Sequence, residues 1–226
     1  MIAGHIRFGM KGLSSSRRDT YYVTWMRNPL SMLLSSIIYE INKYDNHKTI
    51  ENAIHILIRK ITNKSNLVSQ NKQYTSYIKY YRLNSTYGLS NAPVESVFEE
   101  IKANLDKFKL IGILENHNIS VIMLRKLIDP QRSLRSYWYR EAKKVYSNPT
   151  VLNFTKNDIL ARIKSNVSLW EEIKRTLSLE FSIYEYGLKL HNQMCVNSRF
   201  NITQRCDIQN YFNRENKYDI NFSSRF

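Results

Sequence analysis

Two cysteines, Cys195 and Cys206, are all that 226 residues contain, and two cannot build the disulfide framework of a small secreted domain. His191 precedes Cys195 by one helical turn, so with Cys206 there are three potential zinc ligands and no fourth. Ordinary thiols or one disulfide are expected, and no metal. No apolar run approaches the roughly 20 residues a membrane span requires. The opening MIAGHIRFGMKG lacks the apolar core of a secretory signal. Glycine is scarce, at 6 residues against 16 tyrosines, a bias that reflects AT-rich coding more than function.

What is abundant is positive charge. Thirty-four Lys and Arg face 19 Asp and Glu, a net charge of +15, and such a surface attracts polyanions. The charge is scattered: there is no long basic block, zinc-finger spacing or aromatic-basic RNA-recognition motif. Composition therefore names an anionic partner without saying which. The 42% hydrophobic content suits one folded domain, residues 1–196, with a polar tail over 197–226.

The most informative stretch is Thr20 to Ile41, TYYVTWMRNPLSMLLSSIIYEI. Aromatic, β-branched and apolar residues from Tyr21 to Met26 predict a buried strand. Asn28-Pro29 supplies a cap and a first helical residue. Leu30, Leu33, Leu34, Ile37, Ile38 and Ile41 then mark one face of a helix, with Ser35 clear of that stripe. A helix start with unpaired N–H groups, next to the guanidinium of Arg27, could hold a phosphate. Strand–turn–helix is also the commonest unit of any α/β domain, and an arginine at a strand end usually reaches only solvent or a carboxylate.

Arg-Asn-Pro with a serine eight positions after the arginine resembles the 3′-phosphate-binding motif of sulfotransferases that use PAPS (3′-phosphoadenosine 5′-phosphosulfate), commonly R-D-P-x-x-R-x-x-S. Arg27 and Ser35 match its phosphate-binding residues, Asn28 replaces the aspartate and Met32 the second basic residue. Gly4-His5 upstream resembles the G-H-V/I of the uronosyl (heparan sulfate) 2-O-sulfotransferase branch, which makes His5 the catalytic base by resemblance.

Further on, a helix is expected over Thr49–Ile61, an irregular excursion over 62–92, and a helix opened by Pro93. The excursion is the kind of insertion where acceptor specificity sits, with Lys72, Lys79 and Arg82 among tyrosines. A strand over Phe108–Glu115 and a helix over Ile119–Ile128 follow, the latter with Ile122, Leu124 and Leu127 apolar. Gly112, Glu115, Ser120 and Leu124 resemble the family's V-G-x-T-E strand and following helix. In related sulfotransferases the loop equivalent to the basic, aromatic segment 129–157 closes over the nucleotide, and Asn153-Phe-Thr155 loosely resembles its Asn-x-Ser/Thr stretch. From Asp158 to about Val196 the chain reads as helices, with Leu160, Ile163, Val167 and Trp170 as one apolar set. Glu180, Tyr184 and Gly187 match the family's closing helix.

The resemblance implies an α/β, P-loop-like fold with a short parallel sheet flanked by helices. It implies PAPS as co-substrate, no metal, and a carbohydrate acceptor such as an acidic glycan. Nucleic acid is not expected as a partner, and a membrane only through an N-terminal anchor that this chain lacks. Seven Asn-x-Ser/Thr sequons, several of them expected by chance, are compatible with the family's Golgi lumen. The family's first strand and its P-K-x-G-x-T/S loop for the 5′-phosphosulfate have no counterpart in residues 1–20. The expectation is thus an N-terminally truncated chain, or one that no longer catalyses transfer. The competing class is a non-catalytic basic protein that binds nucleic acid or an acidic glycan.

Overall fold

The aromatic and β-branched run before Arg27 forms a strand, and its partner lies far along the chain. The computed structural model describes residues 22–44, 48–69, 73–74, 81, 89–90, 92–128 and 152–197. His5, the segment 129–151 and the tail from 198 onward fall outside them. β1 (Val23–Met26) pairs in parallel with β4 (Leu110–Ile113), in register Val23 to Leu110 and Met26 to Ile113. Parallel neighbours need a long crossover, and everything between the two strands serves as one. It comprises α1 (Pro29–Tyr44), α2 (Ile50–Ser69), the short antiparallel ladder of β2 (Gln73–Tyr74) with β3 (Leu89–Ser90), and α3 (Val94–Leu105). After β4 come a 3-10 turn (Leu114–Asn116), α4 (His117–Ile128), α5 (Lys156–Ser165), α6 (Val167–Thr176) and α7 (Ser178–Asn197). Among the described residues no helix is long and apolar enough to cross a membrane.

Alternation along the strands divides the sheet between two helical layers. Met26, Ile111 and Ile113 face a cluster with Val97 and Ile101 of α3 and Ile183 and Tyr184 of α7. Leu110 faces the other way, against Met123 of α4 and Cys195 near the end of α7, with Val23 and Trp25 at the rim. The architecture is α/β: a short parallel sheet with helices on both faces. A third cluster joins Leu34, Ile37 and Ile41 of α1 to Ala53 and Leu57 of α2, Ile159 and Ile163 of α5, Ile173 of α6 and Phe181 of α7. Each of these large aliphatic side chains contributes about 1.5–3 kcal/mol by leaving water.

The structure corrects several expectations. α2 runs to Ser69, into the stretch read as irregular. Its polar extension is held by tertiary contact: Lys64 pairs with the buried Glu180 of α7, and burial pushes the Lys64 ammonium down to about 7. Tyr81, in the same stretch, is core: its hydroxyl lies 2.8 Å from Thr24 Oγ1 and its carbonyl accepts from Asn104 Nδ2. β4 stops at Ile113, and Leu114-Glu115 leave the sheet in a 3-10 turn. Val167 is 70% exposed, because Asn166 ends α5 and caps α6, accepting from the Leu169 N–H at 3.1 Å. In α4 the buried apolar residue is Met123, whereas Ile122 lies at the surface.

His191 and Cys195 act as core residues. The His191 Nδ1–H donates to the Ile111 carbonyl at 2.8 Å. Its Nε2 faces Asn116 Nδ2 at 3.4 Å and Cys195 Sγ at 3.6 Å. Burial pushes the imidazole below its ordinary value, so it stays neutral. Cys195 is buried, its Sγ 3.3 Å from Met123 Sδ, and Cys206 lies outside the described residues.

Gly187 is where α7 crosses the sheet. A Cβ there would collide with Met26 Sδ and sit 2.9 Å from its Cε, and Met26 is fully buried. Helix propensity alone favours Gly187→Ala by about 1 kcal/mol, whereas overpacking costs about 1–3 kcal/mol. The substitution is therefore expected to lower stability in urea denaturation; a gain would show that this crossing is not close-packed.

Candidate functional site

The turn between β1 and α1 is fixed from both sides. Asn28 caps α1 with its own side chain: Oδ1 accepts from Leu30 N at 3.0 Å and from Ser31 N at 3.1 Å. Its carbonyl takes the Met32 N–H at 2.9 Å. The Asn28 N–H donates to Glu115 Oε1 at 2.9 Å, and Tyr184 donates its hydroxyl to Glu115 Oε2 at 3.1 Å. One carboxylate thus ties the end of β4 to the start of α1 and to α7. Ser120 secures the same strand end, accepting from the Ile113 N–H at 2.8 Å and donating to the Asn116 carbonyl at 3.0 Å.

This arrangement corrects the expectation of free amides at the helix start. Pro29 has no N–H, and the amides of Leu30, Ser31 and Met32 are all satisfied by Asn28. An anion here meets the positive end of the α1 dipole but must be gripped by side chains. Arg27, half-buried, opens the turn.

Ser35 lies two turns along α1, about 10 Å of rise from Asn28 and on the same side as Asn28 and Ser31. It lies clear of the apolar stripe of α1, yet its hydroxyl is not at the surface. Ser35 Oγ is closed off from solvent and, among the described residues, has no hydrogen-bond partner. The adjacent Ser36 satisfies its own hydroxyl on the Leu33 carbonyl at 2.7 Å, the usual recourse of a helical serine. A buried hydroxyl left unpaired costs about 1–3 kcal/mol. Ser35 therefore carries an unmet capacity to donate.

The sequence reading missed one residue near this turn. Lys156, half-buried at the first position of α5, is pushed below its ordinary value by burial and by the charge of Arg27. Its segment lies along α1, since Leu152 and Phe154 pack into the cluster that includes Leu30 and Leu33. The structure thus brings Asn28, Glu115, Tyr184 and Ser120 into one linked frame, and sets Lys156 within reach of the charge of Arg27.

Glu115→Gln keeps the shape but cannot accept at both oxygens, since one terminal atom becomes an NH2 donor. It is expected to destabilise the chain by about 1–3 kcal/mol, and Tyr184→Phe by less. A double-mutant cycle in urea should show coupling between the two; strict additivity would contradict the bridge. Comparison with family models finds no match to this chain, and neither does comparison with curated proteins or with solved structures.

Proposed function

We propose that the chain is a sulfotransferase of the P-loop-like type, moving a sulfuryl group from PAPS to a hydroxyl of a glycan. The observation that carries this reading is the Ser35 hydroxyl, without a hydrogen-bond partner among the described residues, on the helix that Arg27 and Asn28 open. An unpaired donor two turns from a guanidinium suits a phosphate whose oxygens reach both. The frame around it is compatible with this reading: Glu115, Ser120, Tyr184 and Gly187, which match the family's motifs, are all structurally engaged.

The residues fit the donor's 3′-phosphate. Arg27 would bind it through a charge-assisted, two-pronged contact, and Ser35 would donate to a further oxygen. The α1 dipole adds attraction without spending its amides, which remain with Asn28. PAPS, when bound, supplies the activated sulfuryl group. By resemblance His5 would be the base that accepts the proton of the acceptor hydroxyl, a task suited to an imidazole. The net charge of +15 favours an acidic glycan as acceptor, and the reading carries the family's Golgi location with it.

Adenosine 3′,5′-bisphosphate is the appropriate probe. It should stabilise the chain against heat, while an unrelated oligonucleotide at equal charge concentration should not. Hydrogen bonds to charged groups are worth about 1.5–3 kcal/mol, so Arg27→Ala should raise the Kd of the bisphosphate at least about tenfold. Unchanged affinity would remove the assignment, and selective stabilisation by the oligonucleotide would favour a nucleic-acid-binding protein instead.

A further inference from the structure

We propose that His191, Cys195 and Met123 form a binding site for a soft monovalent metal ion, Cu(I), between α4, α7 and the sheet. The site uses none of the residues assigned to the nucleotide phosphate, and so stands or falls apart from that assignment.

His191 and Cys195 sit one turn apart on α7, and α4 brings Met123 to them from 72 residues away. Spacing along the chain discloses the first two ligands and hides the third. Cys195 Sγ lies 3.6 Å from His191 Nε2 and 3.3 Å from Met123 Sδ, and all three side chains are buried. The imidazole is already turned for ligation. The Ile111 carbonyl can only accept, so Nδ1 carries the proton and donates to it at 2.8 Å, which leaves the lone pair of the neutral ring on Nε2. Metal-bound histidines are held by this kind of contact from their other nitrogen. Asn116 Nδ2 stands 3.4 Å from Nε2, near the long limit of a hydrogen bond. Three soft, lone-pair atoms thus converge, and the one thiol hydrogen of Cys195 cannot serve the nitrogen and the thioether at once.

Donor chemistry and charge together select the ion. Thiolate and thioether ligands favour Cu(I), and imidazole accepts it. Zn2+ takes four ligands, three of them protein groups even in an open site, drawn from Cys, His and carboxylate. Among the described residues no three of His, Cys, Asp and Glu come together to hold a metal. When the ion binds, the Cys195 S–H bond breaks, its proton leaves to solvent, and an S–Cu bond forms. One thiolate and one monovalent ion then sum to zero, whereas a divalent ion would leave an unpaired charge in the core, which is costly. The geometry needs little adjustment. With the bond lengths of another d10 ion, zinc, about 2.0 Å to nitrogen and about 2.3 Å to sulfur, trigonal ligands lie about 3.7–4.0 Å apart, so the present spacings open by less than about 1 Å.

The test uses the full reduced chain under argon, with Cu(I) supplied in competition with a chromogenic Cu(I) chelator and Tm measured with and without the metal. The wild-type chain should withhold one equivalent of copper and gain Tm, and Cys206→Ser should do the same. Cys195→Ser should weaken binding at least about a hundredfold, and Met123→Leu about tenfold. Met123→Leu nearly conserves volume, so its loss of copper is read on a folded chain whose metal-free Tm is close to that of wild type. X-ray absorption at the copper edge should show one nitrogen and two sulfurs. Copper held equally well by Cys195→Ser, or released by Cys206→Ser, would overturn the site. So would unchanged affinity in Met123→Leu, or a shell with a single sulfur. A wild-type chain that yields all its copper to the chelator, or that binds Zn2+ more tightly, would overturn it as well.

Discussion

The carboxylate of Glu115 holds together the three parts of the chain that make the site. It receives the Asn28 N–H at the mouth of α1 and the Tyr184 hydroxyl from α7, and it stands just past the end of β4. Each bond is ordinary, worth about 1.5–3 kcal/mol where a charged group takes part. Their joint effect is positional. α1 cannot tilt from the sheet edge without leaving a half-buried carboxylate short of a donor, and that cost fixes where Arg27 emerges. The cap and the frame are thus one network, with Asn28 serving the helix through its side chain and the sheet through its backbone.

From this follows how the site can hold charge. Glu115 is used up as a structural anion, and the α1 amides are used up by Asn28, so the dipole remains but the hydrogen-bonding hands do not. On the proposed reading, a ligand would be held by side chains, the guanidinium of Arg27 and the hydroxyl of Ser35. The proposed site would select for charge and reach more than for backbone shape, since the α1 amides are already taken.

The sequence disclosed the frame where periodicity or capping chemistry was strong. The strand before Arg27, the apolar stripe of α1, the helix opened by Pro93 and the closing α7 were legible because packing follows the 2- and 3.6-residue repeats. The extension of α2 through Lys64 was not, since a polar TNKS segment gains its stability from Glu180, far along the chain. Leu114-Glu115 looked like more strand because apolar character outlasts the ladder by one residue. That Asn28 would consume the amides it caps was readable in principle: an N-cap works by accepting them. Lys156 was invisible for a different reason. No local pattern signals a cation that tertiary packing brings near another.

The central claim is that Arg27 and Ser35 together grip one phosphate, and a crystal structure of the chain with adenosine 3′,5′-bisphosphate tests it most directly. The account predicts the 3′-phosphate within hydrogen-bond distance of both the Arg27 guanidinium and Ser35 Oγ, with the Asn28 cap intact. A bisphosphate bound elsewhere, or one touching Arg27 while Ser35 Oγ stays unpartnered, would contradict it.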